Sequence, residues 1–162
     1  MFIWRNHTLP MVGILRWQPQ TNTLQLLALD QLGTKLFLYQ IDHSGDELRV
    51  FQPALENFAG LKELLGSLLH RLFTTGPIPM EFRGEQRQDN WLISSTEGES
   101  TWFQFRASDL MLTAWGEKDW RVDCYELKNH NGLIWPAKMV LTDKKHRSRL
   151  ILRNEELTID ER

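Results

Sequence analysis

Over most of this chain apolar and polar residues alternate with a period of two, in short runs divided by turn residues. The first runs lie at 10–17, 24–29, 36–41 and 47–51. Later ones lie at 91–95, 101–106, 110–115, 120–127, 133–142 and 147–153. Such spacing, with bends too short to hold crossover helices, predicts an antiparallel meander or barrel. Three bends carry clear turn chemistry: DQLG at 30–33, DHSGD at 42–46, and the Asn-Gly step at 131–132. Residues 81–89, polar and centred on FRGEQR, are expected to be a mobile loop.

One stretch changes period. Across 56–74, apolar residues fall at 58, 61, 64, 65, 68, 69, 72 and 73, which predicts a helix. Lys62, Glu63, Ser67, His70 and Arg71 are left for its other face. A wide apolar stripe needs cover, so the helix is expected to lie over one face of the sheet. Several strands are also apolar on both alternations: Leu36 and Leu38 oppose Phe37, Tyr39 and Ile41, and Phe103 and Phe105 oppose Trp102. A sheet with one wet face would not show this. Both faces should therefore meet something apolar, either a helix, another part of the sheet or a ligand.

Composition narrows function more by exclusion than by indication. The 162 residues fit one domain, and 41% hydrophobic with 25% charged residues is ordinary for a soluble globular chain. A net charge of −2 gives no general attraction to nucleic acid, and none is expected as a partner. The opening MFIWRNHTLP has no basic and apolar leader pattern, and no run approaches the ~20 apolar residues of a membrane helix. With Cys124 alone, neither a disulfide within the chain nor a cysteine-rich metal site can form.

Candidate chemistry is sparse. The histidines at 7, 43, 70, 130 and 146 show no metal-ligand spacing, and no phosphate loop or nucleophile elbow occurs. The DHSGD bend has the ingredients of a triad, but neighbours on one tight turn cannot adopt that geometry. Cys124 alternates in phase with Trp120 and Val122, as a structural thiol would. The basic run Lys144, Lys145, His146 and Arg147 reads as a wet hairpin tip, with acidic residues following at 155–161. No enzymatic activity, catalytic residue, metal or cofactor is expected. Seven tryptophans, two-sided apolar strands and a covering helix fit a hydrophobic-ligand cavity instead.

The order of parts resembles a known superfamily: strands, a helix after Pro53, further strands and a closing hairpin. The segments VGILRW through LLALDQLGTKLFLYQID at 12–42, and WRVDCYELKN, GLIWPAKMVLT and RLIL within 120–152, are similar to the LolA/LolB-like outer-membrane lipoprotein carriers. Within that group they look most like its uncharacterised bacterial lipoprotein family. The resemblance implies a single domain over 1–162, mainly β (α+β), built as a strongly curved, half-open antiparallel barrel with a helix over its concave face. It also implies a periplasmic monomer that holds an acyl chain, lipid or lipoprotein moiety, with outer-membrane anchoring through a lipidated precursor cysteine that this chain does not carry. The lining expected for that cavity is Leu36, Leu38, Leu61, Leu65, Leu68, Leu72, Phe103 and Phe105. Leu32, at the tip of the Gly33 turn, is the candidate for the exposed leucine of the family's protruding loop. A residue-level alternative stays open, in which the barrel is filled by its own side chains and the protein is an interaction or assembly module. An enzyme on lipid-linked substrates is a third.

Overall fold

The computed structural model describes residues 1–4, 7–18, 20–56, 58, 60–73, 81–96, 101–130 and 132–154. It is mainly β, with antiparallel sheets and two helices among those residues. Contacts divide the chain into two compact units, Met1–Gly76 and Pro77–Arg162.

The first unit opens with a hairpin of two short strands, β1 (Phe2–Trp4) and β2 (His7–Leu9). A four-stranded antiparallel sheet follows, ordered β3 (Val12–Gln18), β4 (Thr23–Leu29), β5 (Lys35–Asp42) and β6 (Gly45–Val50). Its register sorts the side chains onto two faces. The inner face carries Gly13, Leu15 and Trp17 opposite Ala28, Leu26 and Leu24, which in turn oppose Phe37, Tyr39 and Ile41. Val50, Leu48 and Asp46 complete those rows. Leu24, Leu26, Ala28, Phe37, Tyr39 and Ile41 are all buried, whereas Gln25 on the outer face is exposed.

The predicted helix appears as two pieces, α1 (Pro53–Glu56) and α2 (Leu61–Phe73). It does not run unbroken from 56, because Gly60 sits at φ +82 and the chain turns there. Thr74 lies outside the described residues. Leu61, Leu64, Leu65, Leu68, Leu69 and Leu72 of α2 are all buried, each worth ~1.5–3 kcal/mol relative to exposure. That outweighs the ~1 kcal/mol by which Gly66 weakens a helix. The helix packs on the inner face of the sheet: Phe73 meets Trp17 with ring centroids 5.6 Å apart, and Gly66 sits directly over the Tyr39 hydroxyl.

The second unit is an antiparallel meander ordered β7 (Phe82–Arg87), β8 (Asn90–Ser95), β9 (Trp102–Arg106), β10 (Leu112–Gly116), β11 (Trp120–His130), β12 (Leu133–Asp143) and β13 (Ser148–Arg153). Where a mobile loop is expected at 81–89, residues 82–87 form β7, paired residue by residue with β8. Every residue of β7 is exposed, so backbone pairing rather than burial holds it. At the other end Trp115, Trp120, Val122, Met139, Val140, Leu141 and Leu150 form the core. The pair His130↔Leu133 closes the expected Asn-Gly hairpin, with Gly132 at φ +90. Asp143 pairs with Ser148 to close the last hairpin, and Lys144, Lys145, His146 and Arg147 are its exposed tip, as the charge pattern suggests. Neither the four-stranded sheet nor the meander closes on itself among the described residues.

Candidate functional site

An apolar pocket of about 250 Å³ opens in the first unit, lined by Phe2, His7, Thr8, Leu9, Leu55, Phe58 and Leu61. Its walls are the β1–β2 hairpin, α1 and the first turn of α2. Phe2, Leu55 and Leu61 are buried, whereas His7 and Thr8 are exposed. The His7 and Phe58 rings meet edge to face, with centroids 5.8 Å apart and planes 82° apart, which fixes one wall. At this size the pocket lies below the ~300–1,000 Å³ common for drug-sized ligands and suits one alkyl chain or one ring. Among the lining residues His7 and Thr8 have polar side chains.

Of the eight lining residues expected from the sequence, Leu61 lines this pocket. Leu65 and Leu68 are 0% exposed, so no water-sized space adjoins them, and Leu72 is buried further along the same helix. Leu38 is half-buried on the outer face of its sheet, because α2 covers the face of Phe37, Tyr39 and Ile41 instead. Leu36 is buried at a bulge, where Ala28 pairs with Phe37 but Leu29 pairs with Lys35. Phe103 and Phe105 belong to the second unit, the first buried and the second half-buried. The hairpin residues Phe2, His7, Thr8 and Leu9 have no counterpart among the expected lining. Strands of three residues are too short for alternation to announce them.

A second feature lies under α2. Tyr39 Oη donates to Asp46 Oδ2 at 2.5 Å, and His70 Nε2 lies 3.2 Å from both Asp46 oxygens. Tyr39 is fully buried, while the side chains of Asp46 and His70 are 28% and 42% exposed. Burial raises the Tyr39 phenol far above its ordinary range, helped by the hydrogen bond and charge of Asp46 and by the charge of Glu63. It therefore stays protonated and donates. The trio ties α2 to β5 and β6. The DHSGD bend conceals it, since its register closes at Asp42↔Gly45 and leaves Asp46 on the inner face. Within the turn itself, Asp42 Oδ1 accepts from Ser44 N and Ser44 Oγ, and those bonds hold its carboxyl below the usual range.

At the β4–β5 turn Leu32 is 91% exposed. Asp30 Oδ1 accepts from the backbone N–H of Leu32 and of Thr34, both at 2.8 Å, and Gly33 takes φ +82. The tip is thus held in shape while its leucine faces outward. Cys124 pairs with Met139 across β11 and β12, and its thiol is pushed up to about 12, chiefly by burial and then by the Asp123 charge. That suppresses the reactive thiolate.

No protein-family model, curated protein or solved structure matches this chain.

Proposed function

We propose that this protein is a non-catalytic binding or carrier protein for an acyl chain, lipid or lipoprotein moiety, of the LolA/LolB-like kind and working in the periplasm. In this reading the sheets are parts of a curved, half-open barrel with α2 as its lid, and the native precursor can be anchored to the outer membrane. The observation that carries it is the mainly apolar pocket of about 250 Å³ beneath the β1–β2 hairpin, with His7 and Thr8 the polar residues of its lining. The outward Leu32, 91% exposed on a braced turn, supports it as a contact for an outer-membrane surface or for cargo. The volume limits the cargo to one chain segment at a time.

Titration with a dansyl-labelled fatty acid tests the reading. Saturable binding should weaken about tenfold or more, ~1.4 kcal/mol per decade, in Leu9→Trp, which adds bulk on the hairpin face that Leu9 shares with Phe2, from a half-buried position. Absence of saturable binding would refute it. A second reading, a self-filled interaction or assembly module, draws on Leu65 and Leu68, which the protein's own atoms cover completely.

A further inference from the structure

Strand β3 is an edge of unusual character. It is the first strand in the order of its sheet, and every residue from Val12 to Gln18 is exposed. Natural edges are usually guarded by lysine, proline or inward charge. Here the strand reads VGILRWQ, with Arg16 its sole charge and with Val12 and Ile14 at 56% and 62% exposure. The buried face of the sheet also runs off this edge unfinished. Leu15 and Trp17 point to the same side as buried Leu26 and Leu24, yet remain 37% and 36% exposed.

We propose that β3 pairs antiparallel with β3 of a second copy of this chain, about a two-fold axis at Leu15, joining two four-stranded sheets into one. This inference stands on β3 alone and replaces the monomer suggested by the sequence. That centre is the one at which all seven residues pair: Val12 with Gln18, Gly13 with Trp17, Ile14 with Arg16, and Leu15 with its own copy. Each pair then joins residues of one face, as sheet pairing requires. On the inner face, Gly13, over which the Leu26 side chain already lies, is paired with Trp17 of the other copy, and the two Leu15 side chains close the row between them. On the outer face each Arg16 meets Ile14 and never another arginine, whereas a centre at Arg16 would oppose like charges. The interface is isologous, so it closes at two copies. Seven residues a side place it at the small end of stable interfaces, below ~1,200 Å², and the dimer must therefore depend on concentration.

Sedimentation equilibrium over a wide concentration range tests the proposal, with Ile14→Lys and Ile14→Glu compared with the natural chain. Ile14 is outward and exposed, so both variants should keep the natural melting temperature. Ile14→Lys sets a lysine against Arg16 twice per dimer and should weaken association about tenfold; Ile14→Glu creates two ion pairs and should tighten it. A natural chain that stays monomeric at every concentration overturns the proposal. So does a dimer that both variants shift in the same direction or neither variant shifts.

Discussion

Tyr39 and Asp46 link the buried core of the first unit to a carboxylate, Oη to Oδ2 at 2.5 Å, directly beneath Gly66 of α2. The phenol is wholly buried and held in its protonated form, so the bond is a fixed strut with Asp46 as acceptor. His70 from the helix reaches the same carboxylate. Tyr39→Phe should cost ~0.5–1.5 kcal/mol, since it removes one hydrogen bond without opening a cavity. In a cycle with Asp46→Ala, urea melts should show coupling of at least ~0.5 kcal/mol. Strict additivity would mean that the bond contributes nothing.

Gly66 provides a test in which packing and helix propensity have opposite signs. Alanine inside a helix is ordinarily favoured over glycine by ~1 kcal/mol. Here the added Cβ would land on the Tyr39 hydroxyl and lie 2.9 Å from Asp46 Oδ2. Gly66→Ala should therefore destabilise by a net ~1–3 kcal/mol in thermal or urea unfolding. A stabilised variant would show that α2 does not rest on this trio.

Cys124 sets a pH dependence. Its folded thiol is raised to about 12 from the ordinary 9.0, so the folded chain holds this proton more tightly than the unfolded chain. The associated stability is complete below about pH 9 and is lost as pH climbs from there towards 12. Cys124→Ala should flatten stability over that window without changing it at neutral pH by the same mechanism. In the native protein at about pH 8, labelling by a thiol reagent should be slow and should accelerate only on unfolding.

Leu32 separates surface contact from stability. Its side chain is 91% exposed, so Leu32→Glu should alter the unfolding free energy by no more than ~0.5 kcal/mol. If the tip contacts an outer-membrane surface, flotation with phosphatidylethanolamine and phosphatidylglycerol vesicles should fall several-fold in the variant. Equal flotation of both proteins would remove Leu32 from the account.

Where a strand is half-buried, its position is legible from alternation: β4, β5 and β6 fall within one or two residues of the runs at 24–29, 36–41 and 47–51. The phase of β5 is less so, because the bulge at Leu36 lets consecutive residues Leu36 and Phe37 both be buried. β7 is illegible for the opposite reason. FRGEQR buries nothing, so it carries no burial pattern, and it is held only by the backbone ladder of a hairpin closed at Arg87↔Asn90. The leucine stripe of α2 is plain in the sequence, but its start is displaced to Leu61 by the backbone at Gly60. The pocket is the least legible part. It depends on a hairpin of two three-residue strands meeting α1 and α2, and of the expected lining only Leu61 takes part. Asp46 looks like a turn residue in the sequence and becomes a core ligand for Tyr39 and His70 once the register closes one residue earlier.

The central claim is that the pocket beside Phe58 and Leu61 holds an acyl chain, and native mass spectrometry of protein purified from its own cells tests it most directly. Leu9→Trp, half-buried at the pocket wall on the face it shares with Phe2, is the control. The account predicts extra mass on the natural chain that lipid extraction identifies as acyl species, and its loss in a Leu9→Trp variant that melts as a folded protein. A bare polypeptide mass, with no acyl species extracted, would contradict it.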